Sequence, residues 1–249
     1  MMPELFRAEN LCHIFPDGRK GLDSLSLSIS DGECILVAGR NGTGKSLLMR
    51  HFVGLSRPTS GTVYFRGVPI HTSITSVRRE VGYVFQDTES QIFGQTVAED
   101  VAFGPANLGM RGKELDALVE RALEEANLAG FASRRPHTLS GGERRRLALA
   151  GVLAMRPSCI ILDEPFANLD LPSVRDVLEV LTRLRSEGKT IIVLTHEIEK
   201  MFRLASRMIV LDAGNIVFDD MPFSASPELF DRCGLACPYE DHFPWLVRG

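Results

Sequence analysis

Four short apolar runs punctuate the chain: Cys34–Ala38, Cys159–Leu162, Thr190–Leu194 and Met208–Leu211. The last three are almost unbroken, the pattern of strands covered on both faces rather than on one. Between them lie segments with helical spacing at Lys45–Val53, Lys113–Ala126, Gly141–Ala154 and Pro172 to about Glu187. The last of these opens with a proline near its first turn and stops at Gly188, matching helix start and stop signals. Strands alternating with helices predict βαβ units and a largely parallel sheet, an α/β fold. The front of the chain differs. Leu22–Ile29 alternates polar and apolar, and Thr62–Phe65 runs into a turn at Arg66-Gly67, both antiparallel signatures. Residues 87–138 read as helix and loop inserted between the strand-bearing halves. Residues 221–249 hold four prolines and mixed aromatics, and no element is predicted there.

Gly39-Arg40-Asn41-Gly42-Thr43-Gly44-Lys45-Ser46 follows the first apolar strand and opens a helix. It fits G-x-x-x-x-G-K-[ST] without mismatch, in the strand–loop–helix context that the phosphate-binding loop demands. Glycines let backbone N–H groups turn inward, and the helix N-terminus adds partial positive charge. Lys45 is expected to reach the β- and γ-phosphates of ATP, and Ser46 to offer a hydroxyl to Mg²⁺. The plain alternative is a glycine-rich turn with a chance lysine.

The run Cys159-Ile160-Ile161-Leu162 ends in two acids, Asp163 and Glu164. A buried strand that ends in carboxylates is costly unless a cation or substrate awaits them. Asp163 is expected to hold Mg²⁺, directly or through water, and Glu164 to accept a proton from the attacking water. A helix cap or solvated turn is the alternative. A second exposed helix start, Leu139-Ser140-Gly141-Gly142-Glu143, is a further anion site or an ordinary cap.

In this order, the phosphate loop, LSGGE, ILDEP and a later His196 resemble ABC-type ATPase domains over nearly all of the chain to about residue 220. The resemblance implies a P-loop ABC cassette with a mainly parallel core sheet, an N-terminal antiparallel β subdomain and a helical subdomain at about 87–157. It implies that Leu139 to Glu143 form the signature motif, contacting the ATP of an opposite cassette. Gln86 resembles the Q-loop glutamine near Mg²⁺ and the water, Asn168-Leu169-Asp170 the D-loop, and His196 the switch histidine. Phe15 is the candidate for the aromatic that stacks on adenine. The signature motif usually ends in Gln; Glu143 is expected to point away from the triphosphate.

The stretch from Phe85 to Gly104-Pro105 and the run Arg145 to Ala154 resemble ATPase subunits of energy-coupling-factor importers of vitamins, cobalt and nickel. That implies an Mg-ATP hydrolase that pairs with a second ABC ATPase subunit, a copy or a paralogue. A transmembrane coupling subunit and a membrane substrate-binding subunit complete the assembly, with this chain at the cytoplasmic face of the membrane. A short helix over Asp87–Phe93 is expected to help line the coupling groove, with Glu99 and Asp100 available to partner arginines. A non-transport ABC ATPase acting on nucleic acid or ribosomes is the alternative.

Composition changes this picture little. The chain has 249 residues, 44% hydrophobic and 24% charged, with no run of the roughly 18 apolar residues that a membrane helix needs. A net charge of −4 argues against nucleic acid as the main ligand. The one dense basic run, Arg144-Arg145-Arg146, reads as a solvated turn of helix. Five cysteines without paired metal spacing fit a reducing compartment.

Overall fold

The computed structural model describes residues 2–239, so the last ten residues of the expected tail lie outside the described residues. These residues form two compact units. One gathers the residues up to Arg78 with those from Gly188 onward, and the other is Arg79–Glu187, a span that contains 87–157.

In the first unit the chain runs through β1 (Glu4–Ile14), β2 (Lys20–Ser30), β3 (Cys34–Ala38), α1 (Lys45–Phe52), β4 (Ser60–Phe65), β5 (Val68–Pro69) and α2 (Ile70–Glu80). The second unit contributes β6 (Val81–Val84), α3 (Val97–Asn107), α4 (Gly112–Glu125), α5 (Gly141–Leu153), β7 (Cys159–Asp163) and α6 (Leu171–Ser186). The chain then returns to the first unit with β8 (Thr190–Thr195), β9 (Arg207–Asp212), β10 (Asn215–Asp220) and α7 (Pro227–Cys233).

The first unit holds an antiparallel sheet in the order β2-β1-β4-β5. Alternate residues of its strands point inward, and Phe6 stacks on Phe52 of α1 at 5.0 Å and tilts against Phe65 at 5.2 Å. In the same unit β3 lies between β8 and β9, parallel to both, and β10 closes antiparallel on β9. Every residue of β3 and β8 is buried, as the apolar runs predict. The region without a predicted element forms a 3₁₀ turn, Pro222–Ser224, and α7. Phe223, Phe230 and Tyr239 gather around Phe202 at 4.9, 6.2 and 5.5 Å, and this aromatic cluster gives the segment its core.

In the second unit β6 and β7 pair in parallel. Helix α5 is buried nearly all round, from Gly142 through Arg145 to Leu153, so it is the central helix of this unit. The basic run is therefore not solvated. Arg145 and Arg146 are each 8% exposed, and Arg146 reaches Asp176 of α6 at 2.5 Å. The helix expected over Asp87–Phe93 is only a 3₁₀ turn, Glu89–Gln91. Gln91 ends it because its amide bonds back to the strand, accepting from Phe85 N–H and donating to the Tyr83 carbonyl.

His51, on α1, is fully buried. The Ser56 carbonyl, 3.0 Å from its Nδ1, can only accept, so Nδ1 carries the proton and Nε2 accepts from His13 Nδ1 at 3.2 Å. Burial pushes its pKa down to about 4; the Ser56 carbonyl opposes this and His13 adds to it. The fold holds the neutral ring, whereas the unfolded chain takes up a proton near the ordinary value of 6.5. Stability should therefore fall as pH drops through 6.5 and level off below about 4, by no more than about 2 kcal/mol between pH 7.5 and 5. Urea unfolding across that range should show this slope, and His51→Gln should flatten it. An equally steep acid limb in the variant would assign the slope to other groups.

Candidate active site

The chemistry-bearing residues of the first unit leave the sheet at one edge. Ala38, the last residue of β3, pairs with Thr195, the last of β8, so Gly39 and His196 depart from neighbouring parallel strands at the same level. Helix α1 has no side-chain cap. Its N-cap, Gly44, has φ +104°, and a Cβ there would lie 2.7 Å from the Gly21 carbonyl oxygen, so only glycine fits. The Lys45 side chain is 5% exposed, and its Nζ donates to the carbonyls of Gly39 at 2.6 Å and Arg40 at 3.1 Å. The loop thus holds its cation at the mouth of a helix N-terminus. Thr43 Oγ1 donates to Arg40 O at 2.9 Å, and the Thr43 carbonyl accepts from Gly214 N–H, anchoring the loop to the β9–β10 turn. Arg40, Asn41 and Gly42 are exposed at the tip, and the Ser46 residue is half-buried. His196 is exposed. Phe15, half-buried just beyond β1, meets His13 edge-on at 4.9 Å and lies under the Arg19 guanidinium.

The second unit repeats this arrangement. Val84 of β6 pairs with Leu162 of β7, so the segment carrying Gln86 and the acids Asp163 and Glu164 leave adjacent strands together. Asp163 is 4% exposed and accepts from Tyr83 Oη at 3.0 Å. Glu164 is equally buried and sits at φ +47°, a left-handed conformation that non-glycine residues seldom adopt and that clusters at functional sites. Asn168 follows at φ +60°. Asp170 then caps α6, its carboxylate accepting from Ser173 N–H at 3.1 Å, and hydrogen bonds from the Ser173 side chain and then its backbone hold the Asp170 pKa below the usual range. Gln86 is exposed.

Leu139 is buried, and Ser140 and Glu143 form a capping box at the start of α5. Ser140 Oγ accepts from Glu143 N–H at 3.2 Å, while the Glu143 carboxylate accepts from Ser140 N–H at 2.7 Å. These bonds hold the Glu143 pKa low and turn its charge back onto the cap. Gly141 is open to solvent, whereas Gly142 abuts α6: a Cβ there would come 2.3 Å from Ser173 Oγ.

Sequence reasoning did not single out Tyr83, and it did not foresee the contacts of Gln91, Arg145 and Arg146. The partners of Tyr83, Arg145 and Arg146 lie thirty or more residues away, out of reach of any local motif, whereas Gln91 bonds back six and eight residues onto its own strand. The one signal was a run of three arginines leading into a stretch of small and apolar helical residues. Asp100 is also not free for partner arginines, whereas Glu99 stays exposed. Glu99 completes the capping box of α3, and Asp100 is buried, accepting from Phe93 and Gly94 N–H at 2.7 and 2.9 Å. Beside exposed polar residues such as Glu89, Gln95 and Glu99, this segment also presents large apolar side chains outward. Phe93, Phe103 and Leu108 are 71, 56 and 41% exposed, and they line a cleft of about 310 Å³ floored by Val152 and Met155 of the α5 region.

Residues 22–167 match the family model described as ABC transporter. The chain is 42% identical over 238 residues to the cobalt import ATP-binding protein CbiO of Rhodobacter capsulatus, covering 94% of this chain and 84% of that protein. It is 42% identical over 237 residues to the energy-coupling factor transporter ATP-binding protein EcfA of Methanosarcina acetivorans, covering 94% and 86%. Among solved structures it resembles CbiO1 of Clostridium perfringens, part of the ABC transporter complex cbiONQ, with a TM-score of 0.83, 33% identity and coverage of 95% and 96%. It also resembles a dimeric ATP-binding cassette solved after hydrolysis with ADP and Pi, with a TM-score of 0.80, 29% identity and coverage of 88% and 99%.

The geometry at Gly44 makes a direct prediction. Gly44→Ala should weaken ATP binding roughly tenfold or more, a loss of at least about 1.4 kcal/mol, and should cost about 1–3 kcal/mol of stability. Titration with a fluorescent ATP analogue and thermal melting would measure both. Wild-type affinity in a folded variant would mean that the loop does not need this conformation.

Proposed function

Because the chain belongs to the ABC transporter family, as an ATP-binding subunit of the energy-coupling-factor and cobalt-import kind, we infer that it hydrolyses ATP to power import of a metal ion or vitamin. The observation that carries the catalytic part is the shared strand edge in each unit, where the loop with Lys45 and the buried acids Asp163 and Glu164 emerge. On this reading residues 1–220 form the ATPase domain, with a helical subdomain at about 87–157.

The roles follow from the chemistry of each group. Gly39 to Ser46 bind the phosphates, with Lys45 countering their charge and Phe15 lying under adenine. Glu164, buried and held in a fixed backbone turn, accepts the proton of the attacking water, and Gln86 orients that water. His196 and Lys45 stabilise charge that develops on the transferred phosphoryl group. Ser46 and Gln86 offer neutral oxygens and Asp163 a buried carboxylate, a hard donor set that suits Mg²⁺. When bound, Mg²⁺ would neutralise phosphate charge. Leu139 to Glu143 face the nucleotide of a second ATPase subunit, with Asp170 in the segment beside that seam. Ser140 and the glycines present the helix N-terminus there, while the Glu143 carboxylate stays on its own cap.

No helix among the described residues is long and apolar enough to cross a membrane. On this reading the pore belongs to other chains: a transmembrane coupling subunit docks on the cleft around Phe93 and Phe103, and a membrane subunit binds the solute. This chain sits at the cytoplasmic face as a peripheral subunit.

Glu164→Gln should retain ATP binding yet lower turnover by about 10² or more. Phosphate release and nucleotide titration on the same preparation check this, and wild-type turnover would remove Glu164 from the base role. The transport role is tested by affinity capture of the tagged chain from detergent-solubilised membranes. A coupling membrane protein and a small solute-binding membrane protein should be recovered, and Phe93→Asp should reduce that recovery severalfold. Recovery of ribosomes or DNA-repair factors instead would set the importer role aside.

A further inference from the structure

The segment carrying Gln86 is gripped from two sides by side chains outside the nucleotide chemistry. From one side Gln91 closes the segment onto its own strand, donating to the Tyr83 carbonyl at 3.1 Å and accepting from Phe85 N–H at 3.0 Å. From the other side Arg145, on α5, donates from one guanidinium nitrogen to the carbonyls of Phe85 at 3.3 Å and Gln86 at 2.9 Å. Burying a guanidinium against carbonyls rather than a carboxylate is expensive, and a methionine would fill the volume without that cost. Burial lowers the Arg145 pKa, and the charges of Asp163, Asp87 and Glu164 partly offset this. A residue kept at such a cost, between the helix that begins at Ser140 and the backbone of Gln86, invites a role beyond filling space.

We propose that Arg145 is a positioning residue for hydrolysis, tying the Gln86 backbone to the signature helix α5 so that the exposed Gln86 side chain is presented from a fixed point. The proposal rests on the reading of Gln86 given above and adds the group that holds it. Arginine suits the task because its rigid, planar guanidinium fixes the direction of the N–H groups that one nitrogen gives to both carbonyls, whereas a lysine ammonium is a point charge on a flexible stem. The grip also connects elements: Gln91 lines the Phe93–Phe103 cleft, so the same stretch of backbone is touched by the cleft wall and by the signature helix.

The test is a double-mutant cycle on the full chain, with steady-state ATPase kinetics and thermal melting of each variant. Arg145→Met should lower kcat about tenfold while KM for ATP stays within about twofold, and Arg145→Lys should fall between the two. In a Gln86→Ala background, Arg145→Met should cost less than about twofold further, because the group it positions is gone. An equal loss in both backgrounds, or a KM that rises as far as kcat falls, would overturn the proposal. Should Arg145→Met not fold, Arg145→Lys closes the same cycle. Gln86→Ala alone separates the two ideas: wild-type kcat there would defeat the role given to Gln86, and the proposal with it, whereas additivity with an impaired Gln86→Ala defeats only the role of Arg145.

Discussion

Parallel register is the constraint on which the rest depends. In a parallel ladder every strand runs the same way, so neighbouring strands deliver their following loops to one edge. Here Ala38 is level with Thr195 and Val84 with Leu162. One step beyond those pairs lie Gly39 and His196 in one unit, and Phe85 and Asp163 in the other. The interior of these strands is apolar and buried, and the polar groups stand at their ends: Thr195 closes β8 and Asp163 closes β7. A shift of one residue in either register would bury a functional group in the sheet or carry it out of line with its neighbour.

The second organising feature is how the charges near those loops are used. A helix start leaves backbone N–H groups without helical partners, and here acids answer them. Glu99 serves α3, Glu143 serves α5 and Asp170 serves α6, while Asp100 gathers the N–H groups of Phe93 and Gly94. These carboxylates therefore serve N–H groups of their own chain, although Glu99 and Asp170 stay exposed. Around the cleft, Phe93, Phe103 and Leu108 face outward beside Asn107, and a cluster of exposed large apolar side chains marks an interaction site rather than a solvated one.

The sequence was informative wherever the physics is local. The phosphate loop, the capping residues and the buried strands each depend on neighbours within a few positions, so spacing alone identifies them. It was uninformative where long separations decide. Arg145 finds its carbonyls about sixty residues earlier and Arg146 its carboxylate thirty residues later, so the basic run looked solvated. Asp100 looked available although its partners, the N–H groups of Phe93 and Gly94, are only seven and six residues back, because no spacing rule marks a loop that folds onto a helix's first turn. Strand β1 escaped notice because bulges break its alternation, with Asn10 at φ +47°. The segment at 221–239 escaped because its order comes from rings packed on Phe202, not from any period in its own residues.

The run Arg144-Arg145-Arg146 shows why three like residues need not share a role. Arg144 reaches back to the Leu139 carbonyl at 2.7 Å and out to Glu89, Arg145 grips the Gln86 segment, and Arg146 pairs with Asp176 on α6. Consecutive helical residues point about 100° apart, so three arginines in a row bind three different neighbours. Exposed pairs such as Arg144–Glu89 contribute little. The buried contacts differ, because breaking one leaves a desolvated charge without its partner. Helix α5 is thereby fixed on several sides just behind its N-terminus. A helix end with the anion-binding role proposed for this one needs that, since its partial charge falls off within a turn and acts only when the end is held at a set distance.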